Sequence, residues 1–269
     1  MSDTKDGRRR GRPTRCPVDS LRTRVWFHTV SLRTGMSAYA LEKCFHPLQV
    51  RCVDGKSVRP RLWDRYRDGV MIPKDKPSVD NLIDRVEEHV PFTAWWFRHV
   101  LWRVLQPKLL SQEEIDEMLF DFPDDIKAVL FDDLQAQFPK QKPFKQEIVA
   151  QLSNFRHLDS LAIAILMVRR SELIGSLELR DLVLSLYYAI QPALMQLNEL
   201  ELCFPDLFSY IDSQYPPWIY PSPSERMRVV VFSEGKFGYK QSYATTGKTL
   251  IKKPIDGFAL HSGDCDLGK

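Results

Sequence analysis

Residues 161–168 read LAIAILMV, an unbroken apolar run inside the longer stretch His157–Ser171. At helical pitch such a run turns apolar side chains to every side, so it cannot lie at a surface and other elements must enclose it. It is well short of the roughly 20 apolar residues that cross a bilayer, so protein rather than lipid has to do the enclosing. The chain has the material for this: 269 residues, 43% of them hydrophobic, suffice for one large domain or two small ones with a proper core. The run predicts a mainly α, multi-helix, bundle-like domain, with Arg169 and Arg170 favourably placed near the C-terminal dipole of the central helix.

The segments around it carry helix start and stop signals. Leu21–Thr34 reads as a helix closed by Gly35, and Ser37 caps a second helix through about Phe45. Pro60 suits the first position of a helix in PRLWDRYRDG that stops at Gly69. Ser78 opens SVDNLIDRVEEHV, where Val79, Leu82, Ile83, Val86 and Val90 share one face. After Pro91, PFTAWWFRHVLWRVLQP reads as one helix buried on most sides, with a stripe of Phe97, Val100, Leu101, Val104 and Leu105 widened by Trp95, Trp96 and Trp102. Ser111 and Glu114 fit a capping box, and Asp124 or Asp125 can cap DIKAVLFDDLQAQF. PKQKPFKQ reads as an exposed connection, and a helix over about Leu177–Leu202 is broken or kinked by Pro192. Proline-rich YPPWIYPSPS ends the helical body. Beyond it RMRVVVF has strand character, and GKFGYKQSYATTGKTLIKKP can supply one or two more strands, a small β-containing C-terminal extension with a loose end.

The net charge of +3 hides a division along the chain. Residues 1–106 hold 21 Lys/Arg against 12 Asp/Glu, residues 107–223 hold 9 against 18, and residues 224–269 hold 8 against 5. This suggests four parts: a disordered basic tail over 1–20, a basic helical domain over 21–106, an acidic helical domain over 107–223, and the extension over 224–269. A positive front can neutralise phosphates and a negative middle is repelled by them, so any nucleic acid meets the front. The alternative is that the two halves attract each other.

Two stretches of the front point to DNA. Within GRRRGRPTR, Arg10–Pro13 resembles an AT-hook, a short peptide whose extended Arg-Gly-Arg lies in the narrow minor groove of AT-rich DNA. Glycine permits close approach there, and the narrow groove concentrates the negative potential that draws in arginine. The same residues also suit a solvated basic tail. Further on, RTGMSAYALEKCF followed by WDRYRDGVMIP resembles, in order, parts of the Cro/repressor class of helix-turn-helix domains. Gly35, Ser37 and Leu41 match its first helix; Trp63, Tyr66, Gly69 and Pro73 match its recognition helix. The chain departs from that class in the 14 residues between Phe45 and Pro60, where the class has a tight turn, and at Arg67, where it has an acid. The spacing of Trp63, Tyr66, Gly69 and Pro73 before a Trp-rich helix also resembles bacterial proteins of unassigned function, and implies no mechanism. The helix-turn-helix resemblance implies an Arg59–Arg67 helix presenting Arg59, Arg61, Arg65 and Lys56 to DNA, beside Arg8, Arg9, Arg10, Arg12 and Arg15 of the tail. Trp63 and Tyr66, three apart on one face, pack inward.

Signs of catalysis are thin. TTGKT at 245–249 has Ser242 where a P-loop needs glycine. Cys44, His46 and Cys52 lack the paired spacings of a zinc site, and nothing local activates Cys203 or His157 as a nucleophile and its base. His89 and His99 suit core hydrogen bonds. We therefore expect no metal, no cofactor and no enzyme activity. Five cysteines without CxxC spacing suit a reducing compartment, and no secretory pattern opens the chain, so a soluble cytoplasmic protein is expected. Two readings stand: a DNA-binding regulator, of mobile-element or defence type, whose acidic helices dimerise or hold a protein partner; or a helical interaction scaffold that binds no nucleic acid.

Overall fold

In the computed structural model the described residues are 16–251 apart from 55, 77–80, 135, 137–138, 156–157, 216–217, 223–224, 232–236 and 244–248; for 52, 53, 56, 57 and 218–251 the description covers the backbone alone. The protein is mainly helical, and it divides into two compact units. The first comprises the chain through Lys108 together with Ser153–Ala162 and Ala189–Phe208; the second comprises Leu109–Leu152, Ile163–Tyr188 and the chain from Ser209 onward. The charge break at 106/107 thus falls beside a unit boundary, while the acidic stretch that follows contributes to both units.

The first unit opens with α1 (Pro17–Thr34), longer by a turn than its periodicity suggested because Pro17 occupies the first helical position, where its missing N–H costs nothing. Gly35 ends it in the left-handed region at φ 67°, its N–H returning to the Ser31 carbonyl. Ser37 then caps α2 (Ala38–Phe45) by accepting from the Ala40 N–H. A single 3-10 turn, Pro47–Gln49, leads into a hairpin of β1 (Arg51–Val53) and β2 (Lys56–Val58), which precedes α3 (Leu62–Arg67). α4 (Leu82–His89) starts where the Asn81 side chain accepts from the Ile83 N–H; the expected opening at Ser78 lies outside the described residues.

The Trp-rich segment forms two helices instead of one, α5 (Thr93–Arg98) and α6 (Val100–Val104). The Glu87 carboxylate starts the first by accepting the N–H groups of Phe92, Thr93 and Ala94 at 2.6–2.7 Å. His99 divides them: its backbone is extended at ψ 138°, its Nδ1 accepts from the Leu101 N–H, and its Nε2 donates to buried Asp159 at 3.0 Å. The core of this unit is aromatic. Trp63 stacks between Trp26 and Phe45 at centroid distances of 5.6 and 5.4 Å, with Tyr66 and Phe97 edge-on to Trp26 and Leu41, Ile83 and Val86 filling the rest. Gly69 sits against α1 at φ 65°, where an added Cβ would meet Ser20 Oγ at 2.2 Å.

In the second unit the capping box of Ser111 and Glu114 opens α7 (Gln112–Phe120). α8 (Asp124–Leu130) stops short of the expected span, because the chain turns extended at Phe131 to form β3 (Phe131–Asp132) against β4 (Lys140–Gln141). Then come α9 (Gln146–Asn154) and α10 (Leu158–Ile174), both divided between the two units, with residues 161–168 of α10 all buried. Arg169 and Arg170 lie a turn before the end of α10 and bond to side chains, Arg169 to the Tyr215 hydroxyl at 2.8 Å and Arg170 to Asp116 and Gln141. α11 (Leu177–Leu194) carries Pro192 in its last turn and stops short of the expected Leu202, and α12 (Phe204–Gln214) takes the helical body to the proline-rich segment, where it was expected to end. Four antiparallel strands close the described chain: β5 (Trp218–Ser222), β6 (Glu225–Val231), β7 (Phe237–Tyr243) and β8 (Thr249–Ile251), paired in sequence order. The β-containing extension is present, with one strand more, β5, from the proline-rich segment.

Candidate nucleic-acid interface

The connection between α2 and α3 is long, so their mutual placement depends on side chains. Glu42 of α2 is fully buried, and its carboxylate accepts both from the guanidinium of Arg59 and, at 2.6 Å, from the N–H of Leu62, the first residue of α3. Arg59 reaches the other way as well, its Nη2 lying 2.6 Å from Asp64 Oδ2. The carboxylate therefore works as an N-terminal cap delivered from a neighbouring helix, and the arginine locks cap and helix together. The hydrogen bond to Glu42 holds the Arg59 guanidinium above its ordinary pKa despite burial, with Asp64 adding attraction. A second tie joins the same elements: Trp63 Nε1 donates to His46 Nδ1 at 3.1 Å.

This geometry revises the expected Arg59–Arg67 helix. The residue before a proline is pushed to extended backbone, which removes Arg59 from any helix, and Arg61 takes a left-handed φ of 56°, so helix begins only at Leu62. Arg59 is accordingly not a presented cation. Its side chain is 17% exposed and committed to Glu42 and Asp64. Arg61 and Arg65 are exposed, Arg61 at 70% and only loosely joined to Asp64 at 3.4 Å. Lys56 lies in β2 opposite Val53, with its backbone alone described. Arg8, Arg9, Arg10, Arg12 and Arg15 lie outside the described residues.

The structure adds exposed cations that the helix-turn-helix resemblance did not single out: Arg67, paired with Asp68 at 2.9 Å, Lys43 on α2 and Arg51 on β1. Arg67 was marked in the sequence only as a departure from the helix-turn-helix pattern, and nothing in the sequence marks Lys43 or Arg51. Other cations of the front are absorbed within the first unit. Arg24 pairs with Asp206 at 2.5 Å and Arg33 with Glu199 at 3.5 Å, both from the acidic part of the sequence.

The groups weighed for chemistry are placed as follows. Cys203 is buried and its thiol is pushed up to about 11 by burial, so it is protonated at neutral pH. His99 has both ring nitrogens engaged, one with the Leu101 N–H and one with Asp159. Cys16, Cys44 and Cys203 are free thiols, and among the described residues no group of three or more His, Cys, Asp or Glu stands together to hold a metal. Residues 244–248 and His157 lie outside the described residues. No described helix is long and apolar enough to cross a membrane. No family model, curated protein or solved structure gives a significant match to this chain.

Proposed function

We propose that the protein binds duplex DNA through its basic first unit and acts by binding rather than catalysis. The observation that carries this reading is the clamp of Glu42 and Arg59, which seats α3 on α2 without a tight turn and leaves both Arg61, immediately before α3, and Arg65, on it, exposed. Guanidinium groups so placed can grip phosphate oxygens or guanine edges in a bidentate manner. The arginine-rich residues 8–15 add a second contact whose composition suits the minor groove.

Titration of labelled AT-rich and GC-rich duplexes with full-length protein at about 50 and 200 mM salt tests the reading. Binding should weaken steeply with salt, and R61A/R65A should lower the slope of log affinity against log salt by about 2, close to one unit for each phosphate contact. A chain lacking residues 1–15 should keep salt-sensitive binding. Loss on that truncation alone would transfer the activity to the tail, and absence of binding by either protein would overturn the proposal.

A second reading has one specific observation in its favour. The pairs Arg24–Asp206 and Arg33–Glu199 neutralise basic front with acidic middle inside one unit, as a protein-interaction scaffold without nucleic acid would use them. Under that reading salt has no marked effect on mixing with DNA, because no binding occurs.

A further inference from the structure

The second unit contains a cavity of about 430 Å³, whose lining includes Lys142, Phe144 and Lys145 of the β4–α9 connection, Arg170 of α10, and Glu178 and Leu179 at the start of α11. The volume lies in the range of pockets that take small molecules. Its charge runs against its surroundings. Residues 107–223 hold twice as many acids as bases, 18 against 9, yet the cavity gathers three of those nine cations and one of the acids. The reversal requires bases from two separate elements to converge.

Two of the three cations are fixed by the protein with donors to spare. Arg170 uses Nη1 for Asp116 Oδ1 and Gln141 Oε1, which orients its planar fork and leaves the other guanidinium N–H groups for a ligand. Lys142 donates to the Ala128 carbonyl at 2.8 Å and has two further N–H donors. Lys145 is exposed and completes the basic side. Phe144, Met167, Leu179 and Leu182 supply apolar and aromatic lining. A ligand that matches both parts has an anionic group with several acceptor oxygens joined to an apolar body.

We propose that this cavity is a binding site for a small organic phosphate carrying an apolar or aromatic moiety, with Arg170 and Lys142 holding the phosphate and Phe144 and Leu179 covering the body. The site lies in the second unit and is independent of any DNA contact by the first. Phenyl phosphate is the probe, with inorganic phosphate and phenol as its separate halves, each titrated into full-length protein by calorimetry and by ligand-observed NMR. Phenyl phosphate should bind saturably and at least about tenfold more tightly than either half, as expected when both a charge-assisted contact and apolar burial contribute. K142A/K145A, which leaves Arg170 and its partners in place, should weaken binding at least about tenfold with an unchanged melting temperature, and R170K should weaken it while preserving the charge. Absence of saturable binding by the wild-type chain, or equal affinity for K142A/K145A, would overturn the assignment; equal binding of phenol would show an apolar cleft without an anion site.

Discussion

Replacing Glu42 by alanine removes a carboxylate that has two engaged partners and no access to solvent. The Leu62 N–H, bonded at 2.6 Å, loses its acceptor, and a buried donor left unsatisfied costs about 1–3 kcal/mol. Breaking a buried ion pair outright costs about 3–5 kcal/mol, but Arg59 keeps Asp64 at 2.6 Å, so only part of that applies. Together these give about 3 kcal/mol for Glu42→Ala, or a fall in melting temperature of about 6–12 °C. Glu42→Gln keeps an acceptor for Leu62 and should cost less. The pair E42L/R59M removes the ion pair as a unit while Asp64 keeps Arg61 and Arg67, so it should cost less than Glu42→Ala, with about 1–3 kcal/mol remaining because the Leu62 N–H still lacks its acceptor. Urea unfolding followed by circular dichroism, with hydrogen exchange read at residues 62–67, measures these costs. A loss under about 1 kcal/mol for Glu42→Ala, or a double variant worse than the single one, would refute the clamp.

Two further outcomes follow from the fold. Gly69→Ala should cost about 2–4 kcal/mol, because left-handed strain adds to a Cβ placed 2.2 Å from Ser20 Oγ, whereas Gly35→Ala meets open space and should cost only the strain, about 1–2 kcal/mol; equal losses in denaturant titrations would contradict the packing. For Glu87, burial alone would raise the carboxyl pKa, but the N–H groups of Ala94, Phe92 and Thr93 outweigh it and hold the value below the ordinary 4.5. A depressed folded-state pKa means that the stability from this carboxylate is fully present above pH 4.5 and is lost as pH falls through the lower folded value, so an acid titration should release α5 there, and Glu87→Gln should flatten that part of the curve.

Local signals were legible where one residue settles a backbone choice. Gly35, Ser37 and the capping box of Ser111 and Glu114 act through their own neighbours, and the enclosed helix over 161–168 follows from composition alone. Features set by distant partners were not. The division at His99 depends on Asp159, sixty residues away, and the loss of Arg59 from the candidate interface depends on Glu42, whose burial has no local mark. Pro205 in CFPDLF sits in the first turn of α12, where a proline lacks nothing that a helix needs. The DNA resemblance rested on spacing, which identified inward Trp63 and Tyr66 but could not distinguish a tethered arginine from an exposed one.

The first unit is assembled from three separated lengths of chain, the last ending at Phe208. During synthesis at about 5–20 residues per second, the residues through Lys108 leave the ribosome well before the segments that complete their unit. For about 5–20 s the nascent protein carries its aromatic core without the segments that complete the unit, with His99 still waiting for Asp159 and Arg24 and Arg33 for Asp206 and Glu199. A fragment cut at the charge break would remain in that condition permanently, so expressed pieces of this protein should depend on chaperones in proportion to how far short of residue 208 they stop.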